Sequence, residues 1–143
     1  MRVLGLDLGS RRVGVAVSDP GEVLATPCAV IERSGQEDLD HRRILDLAAE
    51  WEVGRIVVGL PLSLDGSVGP AAAAALAEVD RLGATTDLPV DTYDERFTTV
   101  TADRHLRQQN LTGKARRRVI DQAAAAVMLQ SWLDGRRPSP PAE

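Results

Sequence analysis

The run Val3-Leu4-Gly5-Leu6-Asp7-Leu8-Gly9-Ser10 places one carboxylate in the middle of what otherwise reads as a buried strand. An isolated charge there is costly unless it is paired or binds a metal. Side chains alternate along a strand, so Gly5, Asp7 and Gly9 share one face while Leu4, Leu6 and Leu8 share the other. The leucine face suits a core. The carboxylate face, with a glycine on either side, is expected to leave room for an ion and a bulky substrate. The plain alternative is a strand-end or turn aspartate that caps a backbone group.

A second strand follows after a tight turn, and Asp19-Pro20-Gly21 then marks another: Pro presets φ and Gly tolerates positive φ. Strands are predicted over 2–9, 12–18 and 23–31, and their short connections imply an antiparallel meander. A helix is predicted over 36–52, where Leu39, Arg43, Leu47 and Trp51 recur at helical spacing and Ile44 and Ala48 extend the stripe. Residues 55–60 read as a fully apolar strand for the centre of a sheet. After a Gly- and Ser-rich loop over 61–69 comes an alanine-rich helix over 70–82, with Pro70 in its first turn. A short strand over 89–93 precedes a helix capped by Thr98 or Thr99 and running to about residue 109. The last helix is predicted over 117–134, closed by Gly135. The order βββαβαβαα gives an α/β domain: a mixed five-stranded sheet, three antiparallel strands then parallel additions, with helices on both faces. Residues 1–135 are read as one domain and 136–143, with three prolines, as a disordered tail.

The formal net charge of -4 excludes binding of nucleic acid through bulk charge, though not through a local basic patch. Cys28 is the sole cysteine, so neither an intrachain disulfide nor a cysteine zinc site can form. The longest fully apolar run, 123–129, falls far short of the roughly 20 residues a spanning helix needs. No membrane partner and a cytoplasmic location are expected.

Two further carboxylates stand out. Glu95 lies just past the last predicted strand, and ligands of open α/β sheets collect at the carboxyl ends of strands. Asp121 shares helical spacing with Ala125, Met128 and Trp132, which should pack on the sheet. Their plain readings are a surface charge and an N-cap. Together, Asp7, Glu95 and Asp121 form a set of hard oxygen donors; clustered carboxylates need a cation, and this donor type selects Mg²⁺ or Mn²⁺. Two such ions would support phosphodiester hydrolysis.

Four stretches carry a resemblance. Gly5-Leu6-Asp7-Leu8-Gly9-Ser10-Arg11-Arg12-Val13-Gly14, Val57-Val58-Gly59-Leu60-Pro61 with Asp65-Gly66-Ser67, Asp94-Glu95-Arg96-Phe97-Thr98-Thr99, and Asp121-Gln122-Ala123-Ala124-Ala125 with Leu129-Gln130 are collinear. They resemble the motifs of the YqgF family of Holliday-junction-resolvase-like proteins. The resemblance implies a ribonuclease H-like fold and a nuclease with Asp7, Glu95 and Asp121 as catalytic, metal-binding acids. It implies 5′-end trimming of the precursor of small-subunit (16S) ribosomal RNA, with cleavage of four-way DNA junctions as the older proposal. A small-subunit ribosomal particle is a possible partner, and the chain is read as a monomer or homodimer.

Basic residues accompany each acid: Arg11 and Arg12 beside the Asp7 strand, Arg96 beside Glu95, and Lys114, Arg116, Arg117 and Arg118 before Asp121. With Ser67 of the Gly-rich loop they form the candidate phosphate-binding rim, against the plain reading of solvated surface charges. Tyr93 and Phe97 are the only aromatic candidates for base stacking near the site. His41 and His105 are expected to face solvent, and Trp51 and Trp132 to pack. A phosphate-loop reading of the first motif, as in two-lobed ATP-binding proteins, is disfavoured in one domain of this size; a non-catalytic nucleic-acid-binding protein is the remaining alternative.

Overall fold

The computed structural model describes residues 1–97 and 114–136, except for the side chains of Phe97 and of residues 114–121. The strands are β1 (Arg2–Leu8), β2 (Arg12–Ser18), β3 (Ala25–Glu32), β4 (Val53–Leu60) and β5 (Val90–Asp94). The helices are α1 (Glu37–Glu50), α2 (Pro70–Gly83) and α3 (Lys114–Arg136), and a single 3₁₀ turn covers Glu95–Phe97. The predicted helix up to residue 109 lies outside the described residues.

The sheet order is β3-β2-β1-β4-β5. β1 pairs antiparallel with β2, and β2 with β3; β4 joins β1 in parallel, and β5 joins β4 in parallel. This is the predicted mixed sheet. The β2–β3 turn closes as its sequence requires: the Asp19 carboxylate accepts from the N–H groups of Gly21, Val23 and Leu24 at 3.2, 2.8 and 2.8 Å.

Each sheet face has its own core. Leu4, Leu6, Val13, Val15 and Val17 pack against Ile44 and Ala48 of α1 and Val79 and Leu82 of α2. On the other face Val3, Ala16 and Val57 meet Ala125, Met128, Leu129, Trp132 and Leu133 of α3. Gln130 fastens α3 across the chain: its Oε1 accepts from the Ala25 N–H at 2.8 Å and its Nε2 donates to the Val23 carbonyl at 2.9 Å.

Three expectations need correction. The gap beside Asp7 at Gly5 is filled by α3, since a Cβ on Gly5 would lie 2.8 Å from Leu129 Cβ. That glycine makes room for a helix rather than for substrate. On α1 the buried side carries Asp40, His41, Ile44 and Ala48, while Leu39 is exposed. The helix is rolled so that His41 finds its partner Glu78 on α2 while Asp40 accepts from the Ser34 N–H, so His41 is buried and not solvent-facing. Finally, α3 begins at Lys114 and continues through Gly135 to Arg136, whose guanidinium stacks 4.4 Å over the Trp132 ring. Asp121 therefore lies within the helix and is not its N-cap.

The Gly5–Leu129 approach leaves no slack, because both Cβ positions are tied to backbone. Gly5→Ala is expected to cost about 1–3 kcal/mol, as overpacking of a close contact does; urea denaturation measures it, and m should not change.

Candidate active site

Asp7 is 7% exposed and Glu95 4% exposed, although both are acids. Strand alternation settles which way Asp7 points: Leu6 belongs to the α1/α2 core and Gly5 meets α3, so Asp7, like Gly5, faces the α3 side. On β4, Val57 belongs to the α3 core and Val58 to the other, so position 59 also opens on the α3 side. Gly59 has no side chain to put there. The space is taken by Glu95, whose Oε1 lies 2.7 Å from where a Cβ on Gly59 would be. Leu6 pairs with Val58, so Asp7 and Gly59 sit one step further along adjacent strands, a spacing of about 4.8 Å. Two carboxylates from separate parts of the chain thus meet on one face, at the carboxyl ends of β1 and β5.

The backbone of Asp121 lies on α3 about two turns before Leu129; its side chain is outside the described residues. The residues that share its helical spacing, Ala125, Met128 and Trp132, are all buried against the sheet.

The proposed basic rim is less uniform. Arg11 is exposed in the β1–β2 turn, and Arg12 is partly buried at the start of β2. Arg96 turns back: its Nε and Nη2 donate to the Asp94 carboxylate at 2.6–3.1 Å and its Nη1 to the Leu64 carbonyl at 3.2 Å. The guanidinium holds the Asp94 carboxyl below the usual carboxylate range. Arg96 therefore clamps the 61–69 loop to the end of β5. That loop turns at Gly66, whose φ is +87°, and the exposed Ser67 donates its N–H to Asp65 Oδ1 at 2.9 Å. Lys114, Arg116, Arg117 and Arg118 lie on α3 by backbone only. Tyr93, a stacking candidate, instead ties β5 to α3 through a 2.9 Å hydrogen bond between its hydroxyl and Ser131 Oγ.

A polar cluster that the sequence reading missed lies on the opposite face. Glu37, His41 and Glu78 present ligand atoms within 4.8 Å of one another. Their chemistry is already committed: Arg33 forks onto Glu78 at 2.7 and 2.9 Å, His41 Nε2 donates to Glu78 Oε2 at 2.8 Å, and Arg81 Nη2 donates to Glu37 Oε2 at 2.9 Å. Burial alone would raise the Glu78 carboxyl, but the hydrogen bonds from Arg33 and His41 outweigh it and hold the group below its usual value. The sequence signal was available in Glu78, a charge on the apolar stripe that joins Ala75, Val79 and Leu82.

The sheet order and the helices on both its faces define a ribonuclease H-like fold. RuvC of Thermus thermophilus in complex with a Holliday junction substrate superposes with a TM-score of 0.59 at 18% identity, over 95% of each chain. A second Thermus thermophilus RuvC structure gives 0.57 at 18% identity, over 95% of this chain and 96% of that one. A family model described as "RuvX: Holliday junction resolvase" matches residues 1–135, and the chain belongs to that family. Among curated relatives, a Rhodococcus opacus (strain B4) protein is 48% identical over 139 residues, covering 94% of this chain and 78% of its own. An Anaeromyxobacter sp. (strain Fw109-5) protein is 45% identical over 136 residues, covering 95% of this chain and 98% of its own. Both bear the name "Putative pre-16S rRNA nuclease".

Two substitutions probe the two faces. In Gly59→Ala the new Cβ would crowd Oε1, Cγ and Cδ of the flexible Glu95 side chain, which must swing aside, so the melting temperature should stay within a few degrees while any activity that needs Glu95 in place falls. In Glu78→Gln the partly buried Arg33 loses its charge partner, at a cost of about 2 kcal/mol near neutral pH. Because the folded-state Glu78 carboxyl lies below its unfolded value of about 4.3, its stabilisation is present above that pH and is lost as pH falls through the lower folded value. The gap in melting temperature between parent and variant should therefore shrink from pH 7 to pH 3.

Proposed function

We propose that this chain is a metal-dependent nuclease that hydrolyses phosphodiester bonds during maturation of the 5′ end of precursor 16S rRNA in the cytoplasm. The observation that carries the reading is that buried Asp7 and Glu95 face the same side of the sheet at the carboxyl ends of the strands, Glu95 seated over Gly59 of the strand next to that of Asp7. Buried carboxylates on one face are an all-oxygen donor set of the kind that suits Mg²⁺ or Mn²⁺. Asp7 and Glu95, with Asp121 from α3, would hold the cation. When bound, two such ions activate a water and stabilise the leaving oxygen. The exposed Arg11 and the basic start of α3 would supply phosphate contacts. The family membership and the names of the relatives support the nuclease class and the RNA substrate. Residues 1–135 would form the nuclease domain. The second reading, resolution of four-way DNA, is favoured by the family's description and needs two sites, hence a dimer.

The test is cleavage of two labelled substrates, a 5′-extended small-subunit rRNA precursor and a four-way DNA junction, with Mg²⁺ or Mn²⁺, by the parent and by Asp7→Asn. Metal-dependent loss of the RNA alone, abolished by the substitution, is expected; paired cuts in the junction alone would establish the second reading. Asp7→Asn should also raise the melting temperature in chelator, and Mg²⁺ should stabilise the parent more than the variant. Equal metal responses would mean that the acids do not share one site.

A further inference from the structure

We propose that Arg33 is a positioning residue for the β1–β2 turn, which begins two residues after Asp7 of β1 and carries Arg11; its role in turnover rests on the nuclease reading above. Arg33 holds that turn twice. Its backbone N–H donates to the Arg11 carbonyl at 2.8 Å, and its side-chain Nε donates to the Gly9 carbonyl at 2.9 Å. The Gly9 N–H is engaged on the other side, donating to the Arg12 carbonyl at 2.9 Å and the Asp7 carbonyl at 3.1 Å. The residue two places after Asp7 is thus held at both its N–H and its C=O. The turn has no slack of its own, because a Cβ on Gly9 would lie 2.5 Å from the Arg12 carbonyl oxygen.

The remaining contacts of Arg33 explain why an arginine is there. Its two terminal nitrogens fork onto Glu78 of α2, and Glu78 also accepts from His41 of α1. His41 lies 3.9 Å from Glu37, which Arg81 holds, and Asp40 is spent on the Ser34 N–H at 3.0 Å. This network borders a cavity of about 450 Å³ whose other walls include Leu8, Ala71, Ala74 and Ala75. In such surroundings an apolar pair would cost less than a buried ion pair. No apolar residue can donate to the Gly9 carbonyl. A lysine, with a single ammonium, cannot span Gly9 and both Glu78 oxygens as the planar guanidinium does. The ion pair serves to hold the guanidinium in the one orientation that aims Nε at the turn.

The double variant Arg33→Met/Glu78→Gln removes both charges together and leaves an acceptor for His41. The single variant Arg33→Lys keeps the ion pair and guards against a failure to fold. In both, the Gly9 amide should exchange with solvent about tenfold faster by NMR, as a loosened turn does. On the substrate that the parent cleaves, kcat should fall about tenfold with KM within about twofold, the size of effect seen when a supporting contact behind a reactive group is removed. Unchanged Gly9 exchange in a folded variant overturns the proposal. So does recovery of parental kcat by Arg33→Lys, which would make the charge, and not the bond to Gly9, the operative feature. If the parent cleaves neither substrate, the nuclease reading falls, and Gly9 exchange still decides whether Arg33 holds the turn.

Discussion

The close seating of α3 on β1, with Leu129 against Gly5, is the contact on which the rest of this molecule depends. It brings a helix within direct backbone reach of the central strand. It seals the face on which Asp7 lies, so the carboxylate is 7% exposed instead of lying open to water. It also fixes the helix that carries Asp121 relative to that strand. A larger residue at position 5 would push α3 outwards and, with it, the Gln130 clamp onto Val23 and Ala25. Asp7 thus lies beside a close helix–strand contact, where low dielectric strengthens the interactions of a charge.

Much of this was legible in the sequence, because the strand and turn signals are local. Asp19-Pro20-Gly21, the apolar run of β4 and the Ala-rich α2 all declare themselves within a few residues, and the alternation of later strands with helices implies the parallel additions. The Asp7 face could be read from period-two spacing alone. What filled the space beside it could not, since Leu129 is 124 positions away. The same limit applies to α1. Its apolar stripe suggests a face through Leu39, but the helix rolls to satisfy His41 and Asp40, whose partners Glu78 and Ser34 lie on other segments. Arg96 and Tyr93 were readable as candidates for substrate, yet their partners Leu64 and Ser131 are tertiary neighbours. The sequence marks which residues are unusual; the fold decides which of them are already occupied.

The two faces of the sheet divide the labour. On the α3 side, the buried Asp7 and Glu95 face the helix, with Glu95 seated over Gly59. On the α1/α2 side, opposite charges are matched one to one, Arg33 with Glu78 and Arg81 with Glu37. A matched network adds no net field to the site but gives rigidity, because each guanidinium has a fixed geometry.

The helix that covers the Asp7 face comes after all five strands in the chain. A nascent chain can close the β1–β2–β3 meander and dock α1 and α2 while Val3, Ala16 and Val57 still lack their cover. Domains emerge from the N-terminal end during synthesis, and uncovered apolar faces are where partly made chains associate. The order of elements therefore leaves the half-made sheet vulnerable on one side until α3 has been made. A chain truncated before α3 would keep all five strands and leave the Val3, Ala16 and Val57 face uncovered.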